Sequence, residues 1–153
     1  MKIVVLYDSV FGNTKLVAEE IAKAAGKGAK LVSAADFKAE DIADADLIVV
    51  GSPTRAFNPT PGMAGVLKTL PSLAGKKALV FDTRSDKADL NSKAFNFFEK
   101  TFGYAAEKMA KALKKKGAVL ADLPAGFFVA DAEGPMKEGE LKRAAEWAKA
   151  NIK

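Results

Sequence analysis

A short segment near the start of the chain has residue types suited to binding an anion. It comprises Ser9, Val10, Phe11, Gly12, Asn13 and Thr14, and it joins an apolar run to an amphipathic one. A turn from a buried strand into a helix directs backbone N–H groups, together with the hydroxyls of Ser9 and Thr14, toward one point beside the helix N-terminus. Gly12 permits a close approach that a β-carbon would hinder. The segment predicts a phosphate site, although a plain helix cap by Asn13 or Thr14 explains the same residues.

The composition excludes several other kinds of chemistry. The chain contains neither cysteine nor histidine, so disulfides, thiolate metal sites and an imidazole general base are ruled out. It also lacks the G-x-x-x-x-G-K-[ST] motif of Walker-type nucleotide sites and the G-x-G-x-x-G fingerprint of dinucleotide sites. Any reaction must therefore use carboxylates, hydroxyls, backbone groups, Lys, Arg or a bound cofactor.

The charge balance is basic, with a formal net charge of +5 over 153 residues. Such an excess of cations suits an acidic partner or a nucleic acid. Most of the excess is dispersed, and its one local cluster lies at a predicted helix end, where cations also favour the helix dipole. The cluster consists of Lys111, Lys114, Lys115 and Lys116. We therefore interpret the charge as a solvated surface and expect no nucleic-acid partner.

The length predicts a single domain over 1–153, since no internal repeat, low-complexity stretch or interdomain linker is visible. No apolar run approaches the roughly 20 residues that cross a bilayer. The run at 3–6 is too short for the hydrophobic core of a signal peptide. We expect a soluble cytoplasmic protein with no membrane span.

The hydrophobic pattern alternates between strands and helices. Near-continuous apolar runs predict strands covered on both faces, over 2–7, 29–33, 46–50 and 77–82, with a fifth strand in two parts at 118–120 and 127–129 bent at 124–126. Amphipathic stretches predict helices over 14–25, 62–70, 105–115 and 138–151. Residues 87–103 fit either an irregular flap or an extension of the helix that follows. The alternation predicts an α/β fold of three layers with a doubly wound, five-stranded parallel sheet.

We expect the strand order 2-1-3-4-5, which periodicity alone does not distinguish from other doubly wound orders. In that order the switch point lies between the first and third strands, and ligands bind at the carboxyl ends of those strands. The segments that follow them begin at Asp8 and Gly51, and both are rich in Gly, Pro, Ser, Thr and Asn. The predicted fold and the unusual loops therefore indicate the same place.

Residues 9–14 resemble the phosphate-binding signature of flavodoxins, a [ST]-x-[ST]-G-x-T segment after the first strand. Residues 51–57 look like the second flavin loop of that family, and 81–84 occupy the place of its third. Residues 133–147 are similar to its closing segment. The resemblance implies noncovalent FMN, electron exchange with redox partner proteins, and a flavin site made of residues 9–14 and two further loops. The further site residues it implies are Pro53, Thr54, Arg55, Ala56, Phe57, Asp82, Thr83 and Arg84.

Several residues depart from the family pattern. Phe11 stands where flavodoxins usually have Ser or Thr, so one hydroxyl contact to phosphate is lost. Phe57 fits either a ring stacked on the flavin or a core residue. Residues 83–87 of the third loop include no aromatic residue, which leaves one flavin face open or covered by a ring from the following segment. The candidates for that cover are Phe95, Phe97, Phe98 and Tyr104.

Arg55 and Arg84 both lie on the implied flavin loops, whereas electron-carrier flavodoxins typically keep cations away from the ring. A cation there would stabilise an anionic reduced flavin and favour two-electron chemistry. Alternatively, either side chain points into solvent, or Arg84 pairs with Asp82 or Asp86. Three functions stay open: an electron carrier, which we favour, an FMN-dependent NAD(P)H:quinone-type reductase, and a cofactor-free interaction module.

Overall fold

Strands and helices alternate along residues 1–85 and 104–152, the part of the chain that the computed structural model describes. The strands are β1 (Ile3–Tyr7), β2 (Lys30–Ser33), β3 (Leu47–Pro53), β4 (Lys77–Ser85), β5 (Val119–Leu120) and β6 (Ala125–Val129). The helices are α1 (Asn13–Ala25), α2 (Pro61–Thr69), α3 (Ala105–Lys115) and α4 (Glu140–Asn151), with a 3₁₀ turn at Ala39–Ile42. Residues 87–103, for which we weighed a flap against a helix extension, lie outside the described part.

The strands form one parallel sheet in the order β2-β1-β3-β4, with β5 and β6 both on the outer side of β4. The short β5 pairs with the start of β4, and β6 pairs with its end. The predicted order 2-1-3-4-5 is therefore confirmed, and its fifth position is shared by two segments. The prediction of a bend at 124–126 is wrong in detail, because Ala125 and Gly126 already pair with β4 and the interruption covers 121–124.

The central strands β3 and β4 are longer than their apolar runs indicate. Their pairing continues from Val50 and Val80 through Gly51 and Phe81 to Pro53 and Thr83. Ser52 is fully buried, and its hydroxyl accepts a 3.0 Å hydrogen bond from the Thr60 N–H. Because its hydroxyl is hydrogen-bonded, this polar side chain can be buried, and the strand continues through it. The extension carries both strand ends to the same edge of the sheet.

Helices cover both faces of the sheet. On one face Met63 of α2 and Met109 of α3 pack against alternate strand residues such as Leu6. On the other face Val17 of α1 and Ala144 of α4 pack against the intervening strand residues. The two faces of each strand are thus apolar, as its near-continuous hydrophobicity requires. Among the helices described, none is both long and apolar enough to cross a membrane.

Candidate functional site

The turn between β1 and α1 presents backbone donors at a helix N-terminus. Gly12 takes a left-handed conformation with φ 95°, and α1 begins at the next residue. The Ser9 hydroxyl oxygen accepts hydrogen bonds from the Gly12 N–H at 3.1 Å and the Lys15 N–H at 3.4 Å. Because these bonds use the oxygen as an acceptor, the hydroxyl hydrogen of Ser9 is left for another group. The Ser9 side chain therefore stabilises the turn through these two hydrogen bonds.

Four N–H groups of this turn find no acceptor in the described part of the chain. Within residues 1–85 and 104–152, those of Val10 and Phe11 donate to no acceptor. Asn13 and Thr14 are the first residues of α1, where no intrahelical acceptor exists. The first turn of α1 contains no acidic residue. The donors and the helix dipole together therefore suit an anion, and no acidic side chain of that turn occupies the position.

Thr14 joins this turn to the end of β4. Its side chain is buried, and its hydroxyl shares a 2.7 Å hydrogen bond with the hydroxyl of Thr83. Two hydroxyls in one mutual bond retain one hydrogen that donates elsewhere. The pair therefore offers one donor at the boundary between the two loops.

The segment after β3 closes into a tight turn. The Arg55 N–H donates to the Asn58 carbonyl at 2.7 Å, and the Asn58 N–H donates back to Arg55 at 2.9 Å. Between them Ala56 and Phe57 have φ values of 48° and 66°. Two-residue turns of this kind usually contain Asn and Gly, and a residue with a β-carbon in this region costs about 1–2 kcal/mol. The rim of the site therefore holds a strained backbone.

Arg84 is paired with Asp82, one of the alternatives open from the sequence. Its guanidinium donates to both carboxylate oxygens, at 2.6 and 2.8 Å, and lies 3.5 Å from the centre of the Tyr104 ring. Asp82 is fully buried and also accepts from the Ala106 N–H at 3.0 Å. Burial raises the pKa of the Asp82 carboxyl, and the pairing with Arg84 opposes that rise. A β-carbon at Gly126 would collide with this guanidinium.

Arg55 has no such counter-ion within residues 1–85 and 104–152. Its guanidinium carbon lies 5.7 Å from the centre of the Phe11 ring, and 51% of Phe11 is exposed. No carboxylate among the described residues forms an ion pair with Arg55. A cation and an aromatic ring thus meet across the mouth of the site.

These loops enclose a cleft of about 350 Å³. The predicted site residues that line it are Ser9, Val10, Phe11, Asn13, Thr14, Pro53, Thr54, Arg55, Ala56, Thr83 and Arg84. Gly12 and Phe57 belong to the surrounding turns without lining the cleft, and Asp82 lies beneath Arg84. Phe95, Phe97 and Phe98 fall outside the described residues, and Tyr104 is buried against Arg84.

The cleft also has lining residues that the sequence did not single out as site residues. They are Ser85, Val129, Ala132 and Glu133. Asn13 donates a 3.1 Å side-chain hydrogen bond to the Glu133 carbonyl, which draws this loop against the anion site. Gly134 has φ 104°, and a β-carbon there would lie 2.5 Å from the Asn13 side-chain oxygen. In the sequence, the only indication that this segment contributes to the cleft was the resemblance of 133–147 to the closing segment of flavodoxins.

The sequence pattern of the flavodoxin domain matches residues 4–128. The chain belongs to the flavodoxin family. The match includes the turn at residues 9–14 and all six strands except the first residue of β1 and the last residue of β6. No curated protein sequence matched this flavodoxin.

Solved structures agree on the fold. A flavodoxin from the domain Archaea is 20% identical, with a TM-score of 0.71 over 99% of this chain and 96% of that one. Flavodoxin 1 from Bacillus cereus is 19% identical, with a TM-score of 0.75 over 99% and 97%. The rubredoxin oxygen:oxidoreductase of Desulfovibrio gigas is 19% identical, with a TM-score of 0.71 over 99% of this chain and 35% of that one. The flavodoxin fold therefore occurs both alone and inside a longer protein.

Proposed function

We propose that this flavodoxin binds FMN noncovalently in the cleft and exchanges electrons with redox partner proteins. The observation that carries the proposal is the set of unused N–H groups at the start of α1, between the carboxyl ends of β1 and β3. A phosphate placed there receives several charge-assisted hydrogen bonds without a cationic side chain. Bound FMN supplies the redox chemistry, and the protein supplies binding, orientation and electrostatics.

The rest of the cleft suits a planar, partly apolar group. Its volume of about 350 Å³ lies within the range of small-molecule sites. Pro53 and Ala56 line one side, and Val129 and Ala132 line another. The Thr54 side chain is held in place by α3, because its hydroxyl oxygen accepts a hydrogen bond from the Ala105 N–H at 3.1 Å. These residues would flank the ring system while residues 9–14 hold the phosphate.

One observation favours the second candidate, an FMN-dependent reductase. Arg55 lines the cleft without a carboxylate partner in the described part of the chain, so its charge acts on whatever the cleft holds. A cation there stabilises an anionic reduced cofactor and favours two-electron transfer. Arg84 adds little to this effect because Asp82 compensates its charge. Stabilisation of an anionic reduced cofactor, which the sequence analysis attributed to both arginines, would thus depend mainly on Arg55.

The first experiment is to purify the protein, record its visible spectrum and release any cofactor by heat. We expect a yellow protein and free FMN in the supernatant. Titration of the apoprotein with FMN, read by flavin fluorescence, then gives the affinity. Anaerobic mixing with NADPH separates the two candidates: a carrier keeps its colour until a partner reductase is added, whereas a reductase is bleached by NADPH alone. Apoprotein that binds no FMN would refute both.

A further inference from the structure

A groove between α2 and α3 combines an apolar floor with a rim of lysines. It has a volume of about 310 Å³. Pro59, Ala64, Leu67 and Ala112 form its floor, and Lys68, Lys108, Lys115 and Lys116 stand around it. The groove is separate from the cleft and shares no lining residue with it.

The groove adjoins the strained turn of the proposed flavin site. The Lys108 ammonium donates a 2.6 Å hydrogen bond to the Asn58 side-chain oxygen, and Asn58 closes the turn with Arg55. A molecule seated in the groove would therefore contact the outer side of the turn whose inner side lines the cleft.

The arrangement of charge specifies the kind of partner. Helix α2 has no acidic residue, and Glu107 is the sole acidic residue of α3. The helix dipole explains Lys68 in the last turn of α2 and the lysines in the last turn of α3, but it does not account for Lys108 near the start of α3. A cationic rim around an apolar floor complements a segment that carries carboxylates around an apolar side chain.

We propose that this groove docks an acidic, apolar-centred segment of the protein that exchanges electrons with the cleft. This inference rests on the proposed function for the identity of the partner, whereas the groove itself does not depend on FMN. Docking here would place the partner against the turn at residues 55–58.

The probe is a fluorescent peptide of alternating Glu and Leu, followed by anisotropy. The test variant is Lys68→Gln/Lys115→Gln/Lys116→Gln, which leaves Lys108 and its bond to Asn58 intact. The matched control is Lys27→Gln/Lys142→Gln/Lys149→Gln, which removes the same charge from exposed lysines elsewhere. We expect the groove variant to lose about tenfold in affinity and the control to stay near wild type. Ala64→Trp, which fills the floor without changing charge, should also weaken binding.

Equal losses in both triple variants would overturn the proposal, because the peptide would then sense only net charge. Absence of binding to the wild type, or tighter binding of a single-stranded oligonucleotide, would overturn it as well. A second measurement uses FMN-loaded, reduced protein mixed with an acidic [2Fe–2S] ferredoxin or with basic cytochrome c. We expect the groove variant to slow only transfer to the ferredoxin, with FMN affinity unchanged. Failure of the wild type to bind FMN would refute the proposed function and leave the peptide result standing.

Discussion

The hydroxyl oxygens of Thr14 and Thr83 lie 2.7 Å apart in a buried hydrogen bond that links the first turn of α1 to the end of β4. The two threonines are far apart in the chain and come from two of the loops that form the cleft. Their bond fixes the spacing between the anion-binding turn and the strand beside it. Since one hydroxyl hydrogen remains, the pair both holds the two elements together and keeps one donor that a ligand could use.

Thr14→Ala and Thr83→Ala are expected to weaken FMN binding by about tenfold or more, because a hydrogen bond to a charged group contributes about 1.5–3 kcal/mol. The double variant should lose less than the sum of the two, since each single change already breaks the shared bond. FMN titration of the apoproteins measures all three. Thr69→Ala, on the exposed end of α2, is the matched control and should bind FMN as wild type does. Unchanged FMN affinity in Thr14→Ala would contradict the proposal that this turn binds the phosphate.

Arg84→Ala is expected to destabilise the fold by about 3–5 kcal/mol, because it leaves the buried Asp82 carboxylate without its counter-ion. Urea unfolding gives the loss. Arg84→Met/Asp82→Leu removes both charges and should be closer to wild type. If the double variant were the less stable of the two, the cost would come from lost packing on Tyr104.

The same variant should change how stability depends on pH. Burial raises the pKa of Asp82, and Arg84 provides the largest opposing effect, so without Arg84 this pKa rises further above the ordinary value. The folded state then binds a proton that the unfolded state has released, so stability falls as pH rises from the ordinary Asp pKa through the raised one. Unfolding at a series of pH values should show a larger deficit at neutral than at acid pH. Arg84→Ala/Asp82→Asn, which cannot ionise, should remove this slope.

Ala56→Gly is expected to stabilise the protein by about 1 kcal/mol, because glycine adopts the φ of 48° without the cost borne by a β-carbon. Thermal or urea unfolding measures the gain. Ala43→Gly is the control, since Ala43 has φ −55° and glycine there should only destabilise. A loss of stability in both variants would mean that the turn at residues 55–58 is not strained.

The sequence predicts the sheet order and the turn from β1 into α1 because both depend on local patterns. Apolar runs mark the buried strands, and Gly12 at a strand-to-helix junction marks the turn. The true ends of β3 and β4 are not predictable in this way. Ser52 and Arg84 are polar, and they belong to strands because Ser52 is hydrogen-bonded to Thr60 and Arg84 is paired with Asp82 in the folded chain.

The side of the cleft formed by Val129, Ala132 and Glu133 was not predicted from the sequence, and neither were the partners of the two arginines, for a related reason. Val129 reaches the cleft because β6 pairs with the far end of β4, a contact that spans much of the chain. Arg84 and Asp82 are two residues apart on one strand, so their side chains share a face. Their pairing also depends on the burial of Asp82 and on the space that Gly126 leaves for the guanidinium. The sequence therefore left open which of the two arginines is paired with a carboxylate among the described residues.

Arg55→Gln is expected to lower the midpoint potential of bound FMN, because it removes a cation that has no carboxylate partner among the described residues and makes a negative charge on the reduced cofactor less favourable. A tenfold weaker preference for the reduced form corresponds to about 30 mV for a two-electron couple. Arg55→Lys keeps the charge and should stay closer to wild type, and potentiometric titration of the FMN-loaded proteins compares them. An equal shift in both variants would point to the ring contact with Phe11 instead of the charge. No shift in either would leave the reductase candidate without its support and favour the carrier.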